Sequence, residues 1–313
     1  ESRVTLEQAI DLRFDLVVPN LQLGQLPQIV SLLREAESLA EKLADEQRLA
    51  RAYSHLVNYF YLTGEPSKAI QYGERCQAIG HALGDSGLQE LARRYMGHSY
   101  HAQGQYRQAE SVLRENLKVL GAARASWAEP DRLSDVASSA WAAFAMADVG
   151  DFAAAQEFAD KALQSAEESR HAYTKAIAST LAGLVWLRRG FPGRAMPHLQ
   201  RSVQGCKDAH LPLWQPVASS LLGLALVMLD ALDEALPLLE EAVVRTGELG
   251  VKAYLALWKT HLAEGLLAAG QNARAKVHAE EALELAIAHQ EHGHQAWALR
   301  VCGDVASQDG ERG

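Results

Sequence analysis

The sequence predicts an all-α chain wound as an α-α superhelix: about seven helical hairpins of roughly 40 residues each, closed by a C-terminal capping helix. Three observations lead there. A Gly or Asp stands five residues before an alanine in GEPSKA (64–69), GQYRQA (104–109), GDFAAA (150–155), GFPGRA (190–195), DALDEA (230–235) and GQNARA (270–275), with a looser copy, GQLPQI, at 24–29. The steps between these hinges are 40, 40, 46, 40, 40 and 40 residues, and a fixed period of this size marks stacked supersecondary units. Between hinges, apolar residues recur at helical spacing, in a chain rich in Ala and Leu, both strong helix formers.

The elements follow in order. Leu6 to Val18 reads as the first helix A, and the hinge near 24 opens its helix B. In the third unit, Leu88, Leu91, Ala92, Tyr95, Met96 and Tyr100 line one face of helix A. Gly104 ends that helix as a left-handed cap, and Tyr106, Ala109, Val112, Leu113 and Leu117 continue on helix B. Seven residues before the hinges stand Gly97, Ala143, Gly183, Gly223 and Ala263, with Val57 the exception; the hinge alanines are Ala69, Ala109, Ala155, Ala195, Ala235 and Ala275. Small residues on both helices let the two backbones approach closely. Pro66 and Pro192 fit a first helical turn. Pro197 and Pro237, a few residues further in, are expected to delay helix B or to bend it. Asp45 and Asp85 are expected N-caps, and Gly84 and Gly250 C-caps. The 46-residue step inserts a loop over 121–134. After Gly270 the next hinge falls at Gly310, so 295–306 reads as a lone capping helix.

This small–hinge–Tyr–Ala arrangement resembles the tetratricopeptide (TPR) pattern, lengthened from its usual period of about 34 residues. The expectation is a single TPR-like solenoid domain over 1–313, with hinges near 24, 64, 104, 150, 190, 230 and 270.

Composition removes several function classes. The net charge is −9, without the basic stripe of a nucleic-acid binder. No run of 18 apolar residues suggests a membrane span, and no signal peptide is evident. Cys76, Cys206 and Cys302 are few, scattered and odd in number, which favours a reducing, cytoplasmic setting. There is no phosphate loop, no G-x-G-x-x-G after a strand, no H-E-x-x-H and no G-x-S-x-G elbow. No enzyme activity, cofactor or metal is expected. His98 with His101, and His289, His292 and His294, are paired or clustered, but no carboxylate or cysteine completes a ligand set in the sequence.

Counting from the hinges, the A helices should turn Asn58, Tyr61, Arg94, His98, His101, Phe144, Thr180 and Arg188 toward the concave groove. Leu184, Leu187, Ser220, Leu224, Leu257 and Thr260 follow in the same slots, giving a groove polar and basic early and more apolar later. Such a surface suits an extended peptide or a helix. Trp127, Trp141, Trp186, Trp214, Trp258 and Trp297 could mark binding hot spots; of these, Trp186, Trp258 and Trp297 read rather as packing residues, and Trp127, in the inserted loop, as exposed.

The wording of the chain goes further. EQAIDLRFDL (7–16), LREAESLAEKLAD (33–45), VNYFYLTGEPSKAI (57–70), GHSYHAQGQYRQAESVLREN (97–116) and HGHQAWALRVCGDVA (292–306) are similar to the C-terminal TPR region of bacterial proteins that join a class III adenylate/guanylate cyclase to an AAA/STAND-type ATPase. The resemblance implies a fragment of a larger protein and a regulatory scaffold that binds a protein, a peptide or other domains of its own polypeptide. The alternative it leaves open is the ligand-sensing arm of a STAND-type transcription activator.

Overall fold

The structure, a computed structural model, describes residues 2–123 and 133–310. Fifteen helices lie among these residues, and no strand. Hairpins form from α1 (Arg3–Gln22) with α2 (Leu26–Leu43), α3 (Glu46–Leu62) with α4 (Pro66–Leu83), and α5 (Ser86–Ala102) with α6 (Tyr106–Ala123). The next are α7 (Leu133–Val149) with α8 (Phe152–Glu167), α9 (Ala172–Arg188) with α10 (Pro192–Asp208), and α11 (Gln215–Met228) with α12 (Leu232–Glu248). Helices α13 (Leu255–Ala268) and α14 (Asn272–Ala288) make the last hairpin, and α15 (His292–Gly310) follows. The loop expected over 121–134 lies largely outside the described residues, as does Trp127; at its margins, 121–123 and 133–134 are helical.

The hinges work by a left-handed residue. Gly24, Gly64, Gly104, Gly150, Gly190 and Gly270 have φ between 70° and 84°. Asp230 takes the same conformation at φ 60°, as a short polar side chain can. At Gly104 the Gly104 N–H reaches the His101 carbonyl at 2.8 Å and the Gln105 N–H the Tyr100 carbonyl at 2.9 Å. This is a Schellman closure that satisfies the last carbonyls of α5. On the far side of each hairpin, Asp45 and Asp85 accept the Arg48 and Leu88 N–H groups as N-caps. Pro66 and Pro192 stand at the starts of α4 and α10. Helices α10 and α12 begin at Pro192 and Leu232 and run through Pro197 and Pro237, so neither proline delays its helix.

Small residues let a leucine of helix B sit against the backbone of helix A. A Cβ added to Gly97, Gly183 or Gly223 would fall 2.5–2.6 Å from the Cγ of Leu113, Leu199 or Leu239, each of which is fully buried. Burying each leucine contributes about 1.5–3 kcal/mol. In the second hairpin the sizes reverse: Val57 holds the small slot, and Gly73 stands where these three have Leu113, Leu199 and Leu239.

Odd-numbered helices pack on one another, α3 on α5, α5 on α7, α7 on α9 and α11 on α13, and line the inside of the superhelix. Each even-numbered helix covers its odd-numbered neighbours from outside. Helices α7, α9, α11 and α13 are buried on nearly every side, which explains why their sequences are apolar all round rather than striped. No described helix is long and apolar enough to cross a membrane.

Candidate functional site

The superhelix is wound so tightly that its ends meet. The Lys252 and Ala253 N–H groups both donate to the Leu62 carbonyl, at 2.8 and 3.2 Å. His289 Nδ1 lies 2.9 Å from the Gly64 carbonyl, and the Ser67 hydroxyl donates to Gln290 at 2.8 Å. Gly104 is so close to α15 that an added Cβ would stand 2.9 Å from the Gly293 nitrogen. These contacts join the second and third hairpins to the last hairpin and α15, leaving a narrow interior.

Aromatic side chains fill most of that interior. His98 packs 4.3 Å from Trp141, ring centre to centre, and His101 4.0 Å from Phe144. Tyr61 meets His98, Trp141 and Tyr254 edge-on. A cavity of about 130 Å³ remains, walled by Tyr61, Tyr95, Trp141, Phe144, Tyr173, Trp214, Tyr254 and Trp258, with Ile177, Leu184, Val217 and other aliphatics between them. Asn58, Arg94 and His98 are its principal polar lining, and Asp and Glu are absent from its described wall. The Arg94 guanidinium stacks 4.9 Å over Tyr95, with its Nε 3.6 Å from Glu90. Burial, reinforced by the Arg94 charge, holds the His98 imidazole far below its usual range, so it is neutral at pH 7.

Beside the cavity runs a buried polar chain. Arg188 Nε donates to Asp148 at 2.7 Å, and His101 Nε2 lies 3.2 Å from the other Asp148 oxygen. The proton of His101 therefore belongs on Nε2, and Nδ1 accepts from the Tyr254 hydroxyl at 2.6 Å. Burial opposes ionisation of Asp148, but the Arg188 charge and His101 outweigh it and lower its pKa to about 2. Burial also keeps His101 below its usual range despite Asp148. Glu291 accepts the Tyr254 N–H at 3.0 Å and lies 2.9 Å from His294 Nδ1. Tyr254 itself sits at φ 61°, an uncommon backbone for an aromatic residue.

The structure thus gathers Asn58, Tyr61, Arg94, His98 and Phe144 around one cavity, with His101 and Arg188 behind it. Thr180 lies elsewhere. Its hydroxyl donates to the Ala176 carbonyl, meets Ser202 at 2.6 Å and accepts Trp214 Nε1 at 3.0 Å, tying α9 to α10 and to the start of α11. His289 serves the closure between ends, His294 packs on Tyr254 and meets Glu291, and no group of three or more His, Cys, Asp or Glu placed to hold a metal occurs among the described residues. Sequence reasoning missed Tyr173 and Tyr254, offered Trp214 only as one of six tryptophans that could mark a binding surface, and read Trp258, which also lines the cavity, as a packing residue. Tyr173, Trp214 and Tyr254 fall at or next to the start of an A helix, outside the slots counted back from the hinges; only the apolar turns GVKAYLAL and HLPLWQPV hinted at them.

No family model and no curated protein matches the sequence. Solved structures match the fold. A Rap protein complexed with Competence and Sporulation Factor superposes with a TM-score of 0.69 at 14% identity, over 100% of this chain and 89% of that one. NprR in complex with its cognate peptide NprX gives 0.61 at 10% identity, over 96% and 84%. A STAND protein with a tetratricopeptide repeat sensor, from Pyrococcus horikoshii, gives 0.55 at 12% identity, over 93% of this chain and 42% of that one. The chain has the architecture of a TPR-like helical solenoid.

Proposed function

We propose that this chain is a non-catalytic interaction and regulatory module that receives a peptide, a segment of a partner protein or another part of its own polypeptide inside the superhelix. The observation that carries the reading is the aromatic cavity at the centre of the concave face. Its roughly 130 Å³ is close to the ~150 Å³ of an engineered apolar cavity that accepts benzene. It therefore suits one aromatic or branched aliphatic side chain, with Asn58, Arg94 and His98 at hand for the polar backbone around it. Rigid aromatic anchors in a largely apolar pocket are the usual carriers of binding energy. Two neighbours in fold, Rap and NprR, are seen with Competence and Sporulation Factor and with a cognate peptide, which supports the same use here. The His101–Asp148–Tyr254 chain resembles catalytic wiring, yet it is buried behind the cavity and fits a role in holding the interior together. The three free cysteines suit a reducing cytoplasm.

The likeness in wording to cyclase- and STAND-linked TPR regions suggests where the module acts, as the regulatory arm of such a protein. A second reading, a small-molecule sensor, is favoured by the small volume. Affinity selection of a random pentapeptide library tests the first. Peptides bearing a large apolar residue should be enriched by the wild type and lost with Val217→Trp, which fills the cavity. Enrichment unaffected by Val217→Trp refutes the interior site. A thermal shift with aromatic metabolites and no peptide enrichment favours the sensor.

A further inference from the structure

The contacts that close the superhelix follow a rule. The hinges of the first three hairpins touch the turns that join the last ones. Gly24 of the first hinge meets Leu249, where an added Cβ would lie 3.8 Å from the Leu249 Cβ, and Gly250 faces Leu26. The second hinge meets Lys252, Ala253, His289 and Gln290, and the third meets Gly293. One superhelical turn therefore rests on the next along a seam of hinges against turns. The seam is largely backbone and polar: amide to carbonyl, Gln103 to Ser67 to Gln290, imidazole to carbonyl. Two glycines in it, Gly104 and Gly293, leave no room for a Cβ; one on Gly293 would run into the Tyr106 hydroxyl.

The cavity lies directly inside this seam. Tyr61, Leu62, Ala253 and Tyr254 belong to both the cavity wall and the seam or its next residue. Tyr254 couples them most closely: its hydroxyl is on His101 of α5, its N–H on Glu291, and its backbone is held in the left-handed region. A strained residue kept in place by partners from both sides of a seam marks a position that changes when the seam parts. While the walls stay joined the cavity has room for one side chain, and a longer stretch of peptide needs them to move apart.

We propose that this seam is the gate of the interior site. Separation of the superhelical turns at the Gly24–Leu249, Leu62–Lys252 and Gly104–Gly293 contacts admits the partner, and Tyr254 carries the opening to the cavity wall. The polar bonds of the seam part at modest cost, because water replaces each one that is broken, while the aromatic contacts of Tyr254 with Tyr61, His101, Trp141 and Phe144 favour the closed form. The gate rests on the reading that the interior is the binding site, but its test needs no partner.

Gly24→Cys with Leu249→Cys, in a Cys302→Ser background, places two Cβ atoms at the separation typical of a disulfide. Acrylamide is the probe, and the emission of Trp141, Trp214 and Trp258 is the readout, with Trp127, Trp186 and Trp297 replaced by Phe. Oxidation should lower acrylamide quenching several-fold, and reduction should restore it. Gly293→Val, which wedges the seam, should raise quenching and the radius of gyration while keeping helicity. Equal quenching in the oxidised and reduced forms overturns the gate. So does a folded double-cysteine protein that fails to oxidise, because the turns are then not in contact. If Gly293→Val does not fold, the disulfide pair decides alone. If peptide selection fails while oxidation still controls quenching, the gate stands and the peptide reading falls.

Discussion

Replacing Gly183 by alanine sets two known effects against each other. In a helix interior, Gly→Ala is favourable by about 0.8–1 kcal/mol. At Gly183 the new methyl would stand 2.6 Å from Leu199 Cγ, 2.7 Å from Cδ2 and 3.4 Å from the Ala195 carbonyl. Leu199 is fully buried and Ala195 is backbone, so neither yields freely. Overpacking of this kind costs about 1–3 kcal/mol, leaving Gly183→Ala neutral to destabilising by up to about 2 kcal/mol. Gly205 in α10 is the control: a Cβ there meets nothing within 4 Å, so Gly205→Ala should be stabilising by close to the full propensity gain. Urea unfolding followed by far-UV circular dichroism, compared at equal slopes, should separate the two variants by about 1–3 kcal/mol. If Gly183→Ala gains as much as Gly205→Ala, the close helix-to-helix approach at the hinge is wrong.

Asp148→Asn strips Arg188 of its buried counter-charge and should cost about 3–5 kcal/mol; a loss below about 1 kcal/mol in the same assay would show that the pair is wet or replaceable. Thr180→Val orphans Trp214 Nε1, while the Ser202 hydroxyl keeps the Ala176 carbonyl, so stability should fall by about 1–3 kcal/mol while the affinity of selected peptides is unchanged. A change in affinity without a change in stability would return Thr180 to the binding surface. Burial holds His98, His101 and His261 below their usual pKa of 6.5. Their folded pKa values are depressed, so the stability they contribute is complete above pH 6.5 and is lost as pH falls below it. The melting temperature should therefore drop between pH 7.5 and 5.5, and a flat profile would mean these rings reach water.

The hinges were legible because one residue in each must adopt positive φ, and glycine supplies that most cheaply. Asp230 could be placed by period alone. The inside-facing positions of α3, α5 and α7 were legible for the same reason, since they are counted back from a hinge. Thr180 was misread because the count gives a helix face, and α9 is buried on nearly every side; its hydroxyl turns to Ser202 and Trp214 instead. The seam was not legible. Which hinge meets which turn depends on the rotation between successive hairpins, summed over the whole array, and no local pattern encodes that sum. Only the HQEHGH segment signalled it, as a polar cluster with no evident use until His289 reached Gly64.

The central claim is that the inner aromatic cavity is where a partner binds. A crystal structure of the chain with the tightest peptide from the selection tests it most directly. A large apolar side chain should lie between Trp141, Tyr61 and Tyr254, with its backbone near Asn58, Arg94 and His98. Peptide density confined to the outer, even-numbered helices, with the cavity unchanged, would contradict it.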